Sequence, residues 1–564
     1  MEKLKKYSYY FIIIIPIIIF CCLFFRFTVN APINDDYQAI LDFLNKIIST
    51  DSYSEKIKLL FSQHNEHRIV YDRIWTIISY KVQGNVDFNF LAFIGNLSLL
   101  GIAVIFYKRF SLLQKPLLLF VPVTIMLFNI TSWENVTFAM AALSNFTVYL
   151  FILISLGFIT SNTSENKRNL YLAFTFLFLA AITQGGGLFM VPISILILLY
   201  KKEYKNAVIF GILSLALLAL YFYHYQKPPQ SVDFVTSIIQ FKHNIFLFAF
   251  AFLGNAFNYY LVYNNPIYSI HFTMVIGVLF FLLFLYITYT KYYKKNLFVY
   301  SLMLLLVMSS FITAVSRISF GIETAGASRY RINGIIFFIT LYLWFIETRD
   351  FKKTVYLYII LAISTVYYIY INLGQYQYLY IRERQTYLGI LNYNYGNPQM
   401  LNGEKTMVNL YASIIEESKV LDRYNLPDNK QLESYFPFSE TTIINKNEAG
   451  DSAASLSNNT EAVNKFSDSY MIEGWAFLEG YNTKSQKVYI GIKNETEQKP
   501  TYYLALKNQR YDLSPYFKKP NLDDGGYSLR INDSLIKKGE NRIWVMLINE
   551  NQVKIQETDK KITK

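Results

Sequence analysis

Long apolar runs separated by short basic clusters organise the first two thirds of the chain. Runs at 7–25, 88–107, 116–130, 137–160, 206–223, 267–290, 296–315, 332–347 and 354–373 predict helices that cross or nearly cross about 30 Å of hydrocarbon. Two stretches need separate treatment. Residues 170–200 follow Lys167 and Arg168 and precede Lys201, Lys202 and Lys205, so both ends belong on the cytoplasmic side. The run must turn back, and Gln184-Gly185-Gly186-Gly187 is where two short helices meet. Residues 244–262 are apolar enough for a span, but counting them would put Lys291, Lys294 and Lys295 outside, against every other basic cluster. They are predicted to be re-entrant or interfacial. About eleven spans result, with the N-terminus cytoplasmic and the C-terminal tail on the outer face.

Past residue 373 the pattern changes. Residues 374–444 are mixed, with a helix expected near 403–422, and 445–465, rich in Ser, Asn and Ala, reads as a linker. Short alternating or β-rich runs follow at 469–477, 486–493, 501–506, 526–531, 541–548 and 551–556. That spacing predicts a β-sandwich within 466–564. Trp475, Tyr502 and Trp544 are either its core or a glycan-binding surface. The predicted fold class is thus a polytopic α-helical membrane protein, residues 1–373, carrying a C-terminal extracytoplasmic β-sandwich.

Composition agrees. Of 564 residues 53% are apolar and only 16% charged, against about 25% charged in soluble proteins. The net charge of +13 invites a nucleic-acid reading, yet residues 374–564 carry 24 basic and 24 acidic side chains, so the excess lies in the membrane part. There, 17 of 29 basic residues fall in the predicted cytoplasmic segments, so the charge is topology and no nucleic acid is expected. Cys21 and Cys22 are adjacent, which excludes a disulfide framework or a cysteine metal site, and Phe20 spoils a lipid-attachment box. The first run is too long for a signal-peptide core, and Pro32 after Ala31 makes a poor cleavage site, so it is expected to remain as the first span.

With those charges assigned, the ionisable residues expected on the outer face form clusters. The first outer loop, 28–87, opens with Asp35 and Asp36 at the start of an amphipathic helix (Tyr37, Ile40, Leu41, Leu44, Ile47 and Ile48) predicted to lie along the membrane surface. The acids either complement the helix dipole or supply a carboxylate that accepts a proton from an attacking hydroxyl. Gln63 to Arg68 follows, containing His64, Asn65, Glu66, His67 and Arg68; if helical, His64, His67 and Arg68 share a face. It reads as a solvated helix, a divalent metal site completed by Asp35 or Asp36, or a substrate-binding group. Trp133 and Glu134 lie between the third and fourth spans. Between the ninth and tenth, Arg317, Glu323, Ser328, Arg329, Tyr330 and Arg331 offer three arginines and no lysine. Arginine presents a planar fork that fits phosphate, although Arg317 and Arg331 also suit snorkelling helix ends.

The acidic pair after the first helix, in a long outer loop, resembles the GT-C class of membrane glycosyltransferases. Together with HNEHR (64–68), WEN (133–135) and ASRY (327–330), it looks like a bacterial branch of that class, over residues 1–373. The resemblance implies a GT-C-like bacterial inner-membrane enzyme that transfers a sugar, with inversion, from a polyprenyl-phosphate donor to a cell-envelope glycan or lipid-linked acceptor on the extracytoplasmic face. A first-loop aspartate would be the base, Asp35 ahead of Asp36, and no cofactor is required for direct proton removal. The arginines would stabilise the departing phosphate, and the glycine break at 185–187, beside Gln184, would let the donor or loop backbone approach closely. A lipid-linked glycan transporter or flippase, a polysaccharide ligase or polymerase, and a non-catalytic assembly protein are the rival expectations. A transporter should carry charge near mid-membrane, where this chain has almost none.

Overall fold

The computed structural model describes residues 2–228, 232, 234–258, 266–349, 354–394, 396–427, 455–549 and 552–564. The chain divides into two compact units, Met1–Thr28 with Ala39–Tyr380, and Val29–Gln38 with Ile381–Lys564.

The first unit is helical. Among the described residues nine helices are long and apolar enough to cross a membrane: Tyr7–Phe27, Phe88–Ser111, Leu117–Thr137, Ala139–Thr160, Tyr204–Phe222, Ile270–Tyr289, Leu297–Phe320, Ser328–Thr348 and Val355–Asn394. The chain is therefore a polytopic membrane protein. Residues 170–200 form the expected broken pair: helix Lys167–Thr183 ends at an extended Gln184, and a tight turn Gly185–Phe189 leads into helix Met190–Tyr200. The chain doubles back so closely that a Cβ on Gly187 would lie 2.3 Å from the Ala180 carbonyl carbon, which leaves room only for glycine. Gly95 serves helix packing in the same way, its Cβ position 2.3 Å from the carbonyl carbon of Ala142. Helix Lys242–Leu253 has 12 residues and so spans only about 18 Å, well short of the hydrocarbon core.

Residues 28–87, the predicted first outer loop, differ from expectation twice. A π-helical turn Tyr37–Asp42 and helix Phe43–Ser49 form where a surface helix was predicted, but Ile40, Leu41 and Leu44 are fully buried, and so is Asn45. A stripe that apolar reads the same for lipid and for protein; here protein covers it. Helix Tyr53–Phe61 follows, and residues 63–68 are no helix but a hairpin, β1 (Gln63–His64) paired antiparallel with β2 (His67–Arg68). Asn65 takes a left-handed φ of 47°, which asparagine tolerates, and this turns the chain. His64 and His67 face each other across the hairpin instead of sharing a helix face. Helix Val70–Gln83 closes the loop.

The second unit contains a β-sandwich. Its strands are β3 (Leu456–Lys465), β4 (Ser469–Leu478), β5 (Lys487–Asn494), β6 (Thr501–Leu504), β7 (Leu506–Asn508), β8 (Gly526–Asn532), β9 (Glu540–Asn549) and β10 (Gln552–Thr563). They form two antiparallel four-stranded sheets, β3-β4-β8-β7 and β10-β9-β5-β6. Ile472, Leu529 and Ile531 of one sheet share a core with Ile490, Val545 and Leu547 of the other. β3 occupies part of the predicted linker. Its Ser- and Asn-rich sequence has weak strand propensity, and pairing with β4, through a bulge at Thr460/Ala462, makes it a strand. Residues 445–454 of that linker, and 428–444 before it, lie outside the described residues. Within 374–444, helix Val408–Val420 forms as expected, and the helix predicted to end at 373 instead runs Thr354–Asn394. Leu388 and Leu391 on its last turns join the sandwich core.

Candidate functional site

Asp35 and Asp36 fall in the second unit. Asp36 is 1% exposed, and its Oδ2 accepts the backbone N–H of Ile33 at 3.1 Å, closing the turn that precedes Tyr37. Asp35 is half-buried, and its carbonyl accepts from Gln38 N at 3.1 Å. Tyr37 stacks on Tyr411 with ring centroids 4.2 Å apart, and burial, with Asp36 beside it, pushes the Tyr37 hydroxyl well above its ordinary range.

The first unit holds a cavity of about 720 Å³. Glu66 and His67 of the hairpin line it, with Gln184 and Gly185 from the helix break, Arg317, and Arg329 with Tyr330. Tyr221, Tyr225 and Lys227 add further polar groups to the lining, and Val148, Leu188, Phe189, Leu218 and Leu305 are among its apolar residues. Glu66 and Arg317 are ion-paired at 2.6 Å, each about three-quarters buried at the side chain (25% and 22% exposed). Burial and the Glu66 carboxylate raise the Tyr225 hydroxyl, partly opposed by Arg317, so all three act on one another. Gly185 is needed where it is: a Cβ there would lie 2.8 Å from Tyr221 Oη and 3.0 Å from His67 Nδ1.

Backbone carbonyls explain the other arginines. Arg68 donates to Tyr221 O at 2.6 Å and to the carbonyls of Phe61 and Tyr223, so it ties the hairpin to two chain segments at helix ends. Arg73 likewise gathers the carbonyls of Leu59, Leu60 and Ser62, and burial works against its charge. Helix C-termini leave such carbonyls without intrahelical partners, and a cation suits them. Arg331 is 4% exposed and donates to the carbonyls of Gly326 and Thr131 and to Gln375 Oε1, each at 3.1–3.2 Å. These arginines hold the fold, and Arg317 and Arg329 are left lining the cavity.

Two of the expected clusters interlock. Ser328 Oγ donates to Glu134 Oε2 at 2.6 Å and accepts from Glu134 N at 3.2 Å, while Arg329 N donates to the same carboxylate at 3.1 Å. Asn135 Nδ2 donates to Arg329 O at 2.9 Å, Asn145 Nδ2 to Asn135 Oδ1 at 2.9 Å, and Gln184 Nε2 to Asn145 Oδ1 at 2.6 Å. A chain of amides therefore joins the Ser328–Tyr330 turn to the glycine break at the cavity wall. Beside it, Trp133 stacks on Tyr378 at 5.5 Å, and both line a smaller cavity of about 250 Å³ with Glu134, Glu323 and Arg331. Glu323 is exposed; His64 is half-buried, and Asn65 sits exposed at the hairpin tip.

Asn145 and Tyr221 were not singled out from sequence. Asn145 had a readable signal, an amide well inside an apolar helix. Tyr221 had none, since tyrosine is common at helix ends in this chain. Among the described residues no three His, Cys, Asp or Glu side chains gather to hold a metal ion. Comparison with protein-family models, with curated proteins and with solved structures returned no match.

Proposed function

We propose that the chain is a membrane glycosyltransferase that takes its sugar from a polyprenyl-phosphate donor bound in the 720 Å³ cavity. The observation that carries this reading is the mixed cavity lining. Arg317, Arg329, Lys227, Glu66, His67 and Gln184 supply charged and polar groups, and most of the remaining lining is aliphatic and aromatic. An amphiphile with an anionic head and a hydrocarbon tail matches both kinds of lining.

Moving the sugar leaves negative charge on the donor phosphate, and the two guanidinium groups would stabilise it more in the transition state than in the ground state. The acceptor is a hydroxyl of a cell-envelope glycan or lipid-linked sugar. The class resemblance points to the Asp35–Asp36 pair as the base, but both residues belong to the second unit and the Asp36 carboxylate closes the Ile33 turn, whereas Glu66 is a carboxylate on the lining of the first unit's own cavity. The basic clusters argue that the cavity opens on the extracytoplasmic side of a bacterial inner membrane. The test is incubation of the purified protein with a panel of polyprenyl-phosphate sugars while polyprenyl phosphate release is followed. Release that needs both a particular donor and an acceptor supports the reading. Movement of intact donor across vesicles without release supports a flippase instead.

A further inference from the structure

We infer that Glu66 is the general base of this transfer and that Arg317 exchanges it for the donor phosphate, an assignment that rests on the function proposed above. Glu66 is a carboxylate of the first unit that lines the cavity. Its backbone is fixed from several sides: the Tyr221 hydroxyl donates to its carbonyl at 3.4 Å, it sits in a hairpin with paired register, and Arg68 beyond it is bonded to three carbonyls. Gln63 pins the other strand of the hairpin, accepting from Gln226 N at 2.9 Å and donating to Gln226 O at 2.5 Å. Such support is what a group in proton transfer needs, because it must be held to within a fraction of an ångström.

The ion pair supplies the exchange. Arg317 holds Glu66 at 2.6 Å on the cavity wall, and its ring neighbour Phe320 lies 5.7 Å below the guanidinium. A planar fork that pairs with a carboxylate also pairs with a phosphate, which carries more charge and more acceptor oxygens. A phosphate entering the cavity therefore competes with Glu66 for Arg317. Drawing Arg317 to the phosphate leaves the Glu66 carboxylate oxygens open to the acceptor hydroxyl.

The step balances as follows. The hydroxyl proton passes to the Glu66 carboxylate as the hydroxyl oxygen forms a bond to the anomeric carbon. The bond from that carbon to the phosphate oxygen breaks, and its electron pair stays on the phosphate, where Arg317 and Arg329 face it. The products are an inverted glycoside and polyprenyl phosphate.

The experiment uses the full chain in lipid nanodiscs, with the donor that gives wild-type turnover and with polyprenyl monophosphate as a binding probe. Glu66→Gln keeps the size and can still bond to Arg317 but takes no proton. It is expected to lower turnover by about 100-fold or more while affinity for polyprenyl monophosphate rises, because the competitor for Arg317 has lost its charge, and added formate is expected to restore turnover to Glu66→Ala. Wild-type turnover in Glu66→Gln overturns the assignment, as does a loss of probe affinity that matches the loss of turnover. Failure of formate to restore a folded Glu66→Ala also counts against it. A wild-type protein that releases no polyprenyl phosphate from any donor removes the proposed function and this assignment together, whereas an active wild type with an active Glu66→Gln removes only the assignment.

Discussion

The lock between Glu134 and Ser328 gives the sharpest structural prediction. Replacing Glu134 with alanine removes the acceptor of two donors, the Ser328 hydroxyl at 2.6 Å and the Arg329 N–H at 3.1 Å. Ser328 is 3% exposed, so water does not readily take the place of the carboxylate. Each orphaned donor costs about 1–3 kcal/mol, so Glu134→Ala, which orphans two, should lower the stability of the first unit by about 2–6 kcal/mol. Ser328→Ala loses one charge-assisted bond and leaves Glu134 N without its side-chain acceptor, a cost of about 2–4 kcal/mol. The double variant should cost less than the sum, with a coupling of about 1.5–3 kcal/mol, because both changes delete the same bond. Equilibrium unfolding in mixed micelles of increasing denaturing-detergent fraction, run on all four corners of the cycle, measures this. A coupling near zero, or a Glu134→Ala variant as stable as wild type, would refute the interlock.

Four further outcomes are expected. Arg329→Gln should cut polyprenyl phosphate release by about 100-fold or more while the protein stays folded. Arg331→Gln should act in the reverse way, lowering stability because the carbonyls of Gly326 and Thr131 lose a buried donor; matched release and unfolding assays on the two variants separate the roles. Gly187→Ala should destabilise the broken helix pair by about 1–3 kcal/mol, since its Cβ would meet the Ala180 backbone, and protease accessibility of the 184–189 turn reads this. In the sandwich, burial and Arg384 lower Lys507 to about 7 and Lys487 to about 8, against 10.5 ordinarily. Between those values and 10.5 the unfolded chain binds more protons than the folded one, so stability of this unit should rise as pH rises from 7 toward 10, by at most about 1.4 kcal/mol per pH unit for each lysine. Thermal unfolding followed across that range should show the rise, and Lys507→Met should diminish it.

The helical part of the fold was legible because a span announces itself by length and apolarity, and even the doubled-back pair at 170–200 followed from lysines at both ends and glycines between. What was not legible is what depends on partners distant in the chain. Residues 63–68 carry no periodicity that separates a helix from a hairpin, and the left-handed Asn65 decides it. The stripe at 37–48 could be read as amphipathic but not as facing lipid or protein. β3 has a linker's composition and becomes a strand only beside β4. For the candidate site, sequence pointed to clusters but could not sort their arginines, because the sorting is done by main-chain oxygens. Arg68, Arg73 and Arg331 are bonded to such oxygens, whereas Arg317 meets a carboxylate on the cavity wall.

That preference for main-chain oxygens has an evolutionary consequence. Arg68 and Arg73 grip atoms common to every amino acid, so the side chains at 59–62 and 223 can drift without loosening those bonds. Orthologous sequences should therefore diversify freely at many of the gripped positions while keeping both guanidinium groups. Covariation between gripper and gripped should be weak although the two touch.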